Sequence, residues 1–126
     1  MDISRLDHVN LRTHQLQVMI DWYTDILGFE KGPRPNFPFG GAWMYRHGHP
    51  LVHLVDVSSK PDHSNDLHLE HAAFSSTGLP AFRKHLSDRN IRTEEVRIED
   101  FKILQVNIWD PDGNHLHIDF DLAEAD

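Results

Sequence analysis

Cysteine is absent from all 126 residues, which excludes a disulfide framework, a thiolate metal site and a cysteine nucleophile. No apolar run approaches the roughly 18 residues needed to span a bilayer. The opening Met1-Asp2-Ile3-Ser4-Arg5 lacks the apolar stretch and cleavage site of a secretory signal. No membrane partner is expected, and the cytoplasm is the expected location. Positive charge is also in short supply, with 12 Lys and Arg against 20 Asp and Glu and a net charge of -8. Arg83, Lys84, Arg89, Arg92 and Arg97 are interleaved with acids rather than gathered into a stripe, so a nucleic-acid partner is not expected. Seven Gly and seven Pro are scattered as turn punctuation, with no low-complexity tract.

Histidine, by contrast, is abundant: eleven residues, with no consecutive run. Their placement follows an internal repeat. Leu6-Asp7-His8-Val9-Asn10-Leu11 matches Leu69-Glu70-His71-Ala72-Ala73-Phe74 position for position, 63 residues further on. Helical stripes follow both segments. Thr13 is the expected N-cap of the first, with Leu16, Met19, Ile20, Tyr23, Ile26 and Leu27 on one face and Gly28 as its stop. Thr77 and Pro80 mark the start of the second, Leu79, Phe82 and Leu86 form its stripe, and Asn90 ends it.

The tails agree as well. Gly48-His49-Pro50-Leu51-Val52-His53 corresponds to Gly113-Asn114-His115-Leu116-His117 with one residue deleted, so that His53 matches His117. Strand-like stretches precede both tails, and Asp110-Pro111-Asp112-Gly113 has the composition of a hairpin turn. Each half therefore reads β-α-β-β-β. The expectation is one α+β domain over residues 1–126, built from modules of about 1–58 and 66–126 joined by a polar linker of about 58–66. Neither half alone buries its helix stripe and sheet face, so the modules are expected to pack on each other or on a second chain.

Side chains alternate across a strand, which puts one histidine of each first strand and one of each last strand on corresponding faces. Curling each sheet and facing the two together would bring His8, His53, His71 and His117 to one place. Imidazoles held on rigid strands suit Zn, Fe, Mn or Ni, so a site using at least three of the four is expected. The alternative is a metal-free pocket lined by histidines.

The Leu-Asp-His-Val-Asn-Leu opening, Trp22-Tyr23-Thr24-Asp25-Ile26-Leu27-Gly28-Phe29, the Leu69–Phe74 segment and Asp110-Pro111-Asp112-Gly113-Asn114 together resemble the vicinal oxygen chelate superfamily, the glyoxalase, bleomycin-resistance and extradiol-dioxygenase group. The resemblance implies paired βαβββ modules forming a curled sheet, a divalent metal held at positions matching His8, His53, His71 and His117, and a homodimer. His117 departs from the pattern, because the family's usual last ligand is Glu. A carboxylate there helps to neutralise the ion and, in glyoxalase-type isomerases, shuttles the proton. His53, left unligated, would then be the general base, and Asp119 either a partner for His117 or a surface acid.

Several other residues are candidates for contacting a small-molecule substrate: Trp43, Arg46, Gln105 and Asn107, with Arg34 and the aromatic loop around Phe37 and Phe39 beside them. Asn107 and Gln105 interrupt an apolar strand and must find partners. Trp43 and Trp109 equally suit core packing, and for Arg34 and Arg46 a solvated surface is the favoured reading. Two readings compete. One is a metal-dependent enzyme of lyase, isomerase or ring-cleaving dioxygenase type acting on an oxygen-chelating substrate. The other is a protein of the bleomycin-resistance kind that sequesters a small molecule without chemistry.

Overall fold

A computed structural model describes residues 1–62 and 66–126 of the chain. The centre of the expected linker, including His63, lies outside the described residues. The chain falls into two compact units, residues 1–64 and 65–126.

The first unit runs β1 (Val9–Thr13), α1 (Leu16–Leu27), β2 (Glu30–Gly32), β3 (Gly41–Arg46) and β4 (His49–Asp56). The second repeats the order with β5 (Ala72–Ser75), α2 (Leu79–Asp88), β6 (Glu94–Ile98), β7 (Ile103–Trp109) and β8 (His115–Asp121). Both units are thus βαβββ modules, as the repeat predicts. The sheets have the orders β1-β4-β3-β2 and β5-β8-β7-β6. In each, the first strand pairs parallel with the last and the other neighbours are antiparallel. A parallel pair needs a long crossover, and here the helix and two intervening strands supply it.

One face of each sheet is the core. In the first unit α1 buries Met19, Ile20, Tyr23 and Ile26, and the strands bury Ala42, Met44, Val52 and Leu54. In the second, Leu79 and Leu86 of α2 are buried together with Leu104, Val106, Ile118 and Phe120, and the Phe82 and Phe120 rings lie 5.7 Å apart. The alternate strand positions form the opposite face, which carries the histidines.

Helix ends follow the sequence only in part. Gly28 closes α1 at φ 72°, in the left-handed region where a glycine is unstrained, and Asn90 lies at φ 53° just beyond α2. The residue capping α1 is Gln15, not Thr13, and Thr13 instead accepts a hydrogen bond from the Gln15 amide at 3.1 Å. The start of α2 is capped at Gly78 with Pro80 in the first turn, and its free amides are satisfied from a distance. Glu124 accepts from the amides of Gly78 and Leu79, both at 2.8 Å. A carboxylate at a helix N-terminus also opposes the positive end of the helix dipole.

The turn between β7 and β8 is organised by one buried carboxylate. Asp110 accepts from the amides of Asp112 and Asn114 at 3.0 Å each, and from the Asn114 side chain at 2.8 Å. Gly113 supplies the φ of 82° that the turn requires. Replacing this acid leaves buried donors without an acceptor. Asp110→Ala is expected to cost about 1–3 kcal/mol, measured by urea unfolding; a midpoint equal to that of the parent would contradict this account of the turn.

Candidate metal centre

The pairing of β1 with β4 sets Asn10 against His53 and, on the next strand, His53 against Trp43. These residues therefore share the face opposite α1, with His8 just ahead of β1. The rings form a column. His8 stacks on His53 at 3.8 Å with planes 9° apart, and His53 stacks on Trp43 at 4.0 Å and 14°. His53 is buried between them, at 7% exposure, and its Nε2 has no hydrogen-bond partner. A buried nitrogen without a partner is costly, so this atom invites a ligand. His8 is held by Asp7, which accepts from His8 Nδ1 at 2.7 Å.

The second unit repeats the device with more groups. His117 on β8 lies opposite Ala73 on β5 and Asn107 on β7. His71 precedes β5, and its ring lies 4.3 Å from that of His117. Glu70 accepts from His71 Nδ1 at 2.7 Å, as Asp7 does from His8. Asp119 accepts from His117 Nδ1 at 2.6 Å, the partner role entertained for it from sequence. His115 joins the cluster. Its Nδ1 lies 2.8 Å from the same Glu70 oxygen, and its Nε2 lies 2.7 Å from Asn107 Oδ1. Asn107 in turn donates from Nδ2 to the Glu94 carbonyl at 3.0 Å. Glu70, His71 and His115 offer three ligand atoms within 4.8 Å of one another.

An ionised carboxylate only accepts, so the bonds of His8, His71 and His117 place the proton on Nδ1 and leave Nε2 with its lone pair, whereas the Nε2 of His115 is turned to the Asn107 oxygen. This is the arrangement in which a second carboxylate orients a metal-binding imidazole. His8, His71 and His117 share it. Within each unit, imidazoles so oriented are donors of the kind a divalent ion takes. Parallel stacked rings do not aim their in-plane lone pairs at one point, so joint ligation by His8 and His53 requires the more exposed His8 to turn.

The other expected contact residues separate into two groups. Trp43 is on the column itself, and Asn107 is committed to His115 and Glu94. Gln105 faces Asp119 across the strand pair, next along from the Asn107–His117 pair. Arg46 is exposed at the far end of β3, opposite His49 at the hairpin. Glu70 and His115 were not singled out from sequence. The signal for both was present: Glu70 is the repeat equivalent of Asp7, and His115 lies two residues before His117, on the same strand face.

A model of the Glyoxalase/Bleomycin resistance protein/Dioxygenase superfamily matches residues 5–118, and the chain belongs to that superfamily. Among solved structures, a glyoxalase-family protein from Bacillus anthracis is similar with a TM-score of 0.79 and 18% identity, over 96% of this chain and 98% of that one. A domain of the same superfamily from a Frankia species gives 0.77 and 19%, over 95% and 93%. A Glu-to-Gln variant of the fosfomycin resistance protein FosX from Listeria monocytogenes, complexed with Mn(II) and 1S,2S-dihydroxypropylphosphonic acid, gives 0.73 and 14%, over 98% and 96%. No curated protein matches significantly. Among the described residues no helix is long and apolar enough to cross a membrane.

Burial holds the His53 pKa below its ordinary value, and the neighbouring His8 adds to the effect. A histidine whose folded pKa is lowered binds fewer protons folded than unfolded, so it weakens the fold as pH drops through the unfolded value of about 6.5. In metal-free protein, the His53 ring is expected to titrate below that value by NMR, and stability to rise with pH across the window between the two. A His53 titration at or above the ordinary value would contradict the burial described here.

Proposed function

We propose that the protein is a cytoplasmic, divalent-metal-dependent enzyme of the vicinal oxygen chelate superfamily, with its ligands drawn from His8, His53, His71 and His117. The observation that carries this reading is the shared wiring of three histidines. Each donates a hydrogen bond from Nδ1 to a carboxylate, and each is thereby left with Nε2 for an ion. The bound ion would act as a Lewis acid on vicinal oxygens of a small substrate. Support also comes from FosX, a superfamily relative of the same fold that holds Mn(II).

His53 is the proposed proton acceptor. It is buried, its pKa is lowered so that the neutral form prevails near pH 7, and its Nε2 is unpartnered. A general base needs such a free lone pair near neutrality. In the second unit Asn107 and Glu70 keep His115 and His71 in place, fixing ring orientation rather than touching substrate. Trp43 covers one face of His53 and excludes water from it.

A second reading has its own observation. The parallel stack of His8, His53 and Trp43 is a ready surface for a flat molecule, as a sequestering protein of the bleomycin-resistance kind would need. Leu6 and Leu69, repeat-equivalent and strongly exposed, support a homodimer under either reading.

Metal analysis of untagged protein after reconstitution with Zn, Mn, Fe and Ni separates the two. About one ion per chain is expected, in protein with the solution mass of two chains. The ion is expected to be lost in His8→Ala and His71→Ala and retained in His63→Ala. His53→Ala is expected to keep the ion but lose turnover. No ion under any reconstitution would overturn the enzyme reading in favour of sequestration.

A further inference from the structure

Two arginines in the structure are half-buried, Arg34 and Arg83, and they are treated differently. Arg83 forms a two-pronged pair with Glu95, through Nε at 2.7 Å and Nη2 at 2.8 Å. Arg34 has no acidic partner among the described residues. Its hydrogen bond among the described residues is from Nη2 to the Phe39 carbonyl at 2.9 Å. In a chain with 20 acids and 12 bases, acids to pair with are plentiful. A guanidinium partly withdrawn from water gains most from an anion, and here no described residue supplies one.

Arg34 is nonetheless held firmly. Its guanidinium carbon lies 5.0 Å from the Phe37 ring centre and 5.2 Å from that of Phe39, and those two rings stack at 5.1 Å. The segment contains Pro33, Pro35 and Pro38, each fixing φ. Tyr45 donates its hydroxyl to the Pro33 carbonyl, Phe37 donates to the Pro35 carbonyl, and Asp56 donates its amide to Gly40. On the strand side the guanidinium runs past Gly41, where a Cβ would stand 3.0 Å from Nη2. A side chain fixed in advance loses little freedom when it takes a ligand.

The loop also joins the histidine column. Phe37 lies 6.4 Å from Trp43, the ring that stacks on His53. The positive charge of Arg34 is among those felt by His53.

We propose that Arg34, backed by Phe37 and Phe39 and adjoining Trp43, is the subsite for an oxyanion (carboxylate or phosphate) on the substrate. The assignment rests on the site proposed above and narrows its substrate class to small anionic molecules. Charge steers such a ligand toward a protein of net negative charge only where a local cation is left free, and Arg34 is such a cation. The exposed Phe37 and Phe39 rings would cover the apolar part of the ligand.

Inorganic phosphate and benzoate, titrated by calorimetry into metal-loaded and metal-free protein, test this. Saturable binding of at least one probe is expected, weakened tenfold or more in Arg34→Gln. A smaller loss is expected in Arg34→Lys, which keeps the charge without the planar fork, and no loss in Arg89→Gln, which removes the same charge from α2's end. Which probe binds identifies the oxyanion. Thermal unfolding of each variant establishes that it is folded, and Arg34→Lys carries the comparison if Arg34→Gln is not. Arg34-dependent binding in protein that takes up no metal would uphold the subsite while overturning the metal reading. Equal affinity in Arg34→Gln and the parent, or no binding of either probe to the parent, would overturn the subsite.

Discussion

The parallel pairing of first and last strands in each unit is the constraint on which the rest of the structure depends. It places His8 beside His53 in one unit and His71 beside His117 in the other, from residues some 45 positions apart in sequence. Because side chains alternate along a strand, the same register that sends Val52 and Leu54 into the core sends His53 to the opposite face. A slip of one residue would exchange them. The apolar core therefore fixes the histidine face, and burial energy that has nothing to do with chemistry holds the candidate ligands in register.

Around that frame, carboxylates set the orientation of the imidazoles. Asp7, Glu70 and Asp119 come from three different places, two of them directly preceding their histidine and one two residues beyond it on the same strand face. All three do the same thing, which is to accept a hydrogen bond from Nδ1. The second unit elaborates the plan, since Glu70 serves both His71 and His115 and Asn107 locks the far side of His115. The first unit uses aromatic stacking, with Trp43 and His8 enclosing His53. Repeat-related halves thus share a carboxylate on the leading histidine and add to it by different means: further hydrogen bonds in one, a tight ring column in the other.

Much of this was legible in the sequence because it is periodic or repeated. The βαβββ order, the helix stripes, Gly28, Asn90 and the Asp110–Gly113 turn all follow from local rules that act within a few residues. The common face of His8 and His53, and of His71 and His117, followed from strand alternation once the repeat was seen. The capping of α2 by Glu124 was not legible, because the acid lies 45 residues from Leu79 and only tertiary structure joins them. Thr13 was misread as a cap because its hydroxyl has two uses near a helix start, and here it bonds the Gln15 amide before the helix begins. Nor did sequence distinguish Arg34 from Arg46. Both are arginines near aromatic residues, and only the packing shows one half-buried against two rings and the other exposed at a hairpin end.

The central claim is that carboxylate-oriented imidazoles on these strands hold a divalent ion. X-ray absorption spectroscopy of the zinc- or manganese-loaded protein tests it most directly, since imidazole rings bound through nitrogen leave a recognisable multiple-scattering signature. The account predicts at least three imidazoles in the coordination shell, and loss of that imidazole signature together with the ion in His71→Ala. A shell of oxygen ligands alone, unchanged by that substitution, would contradict it.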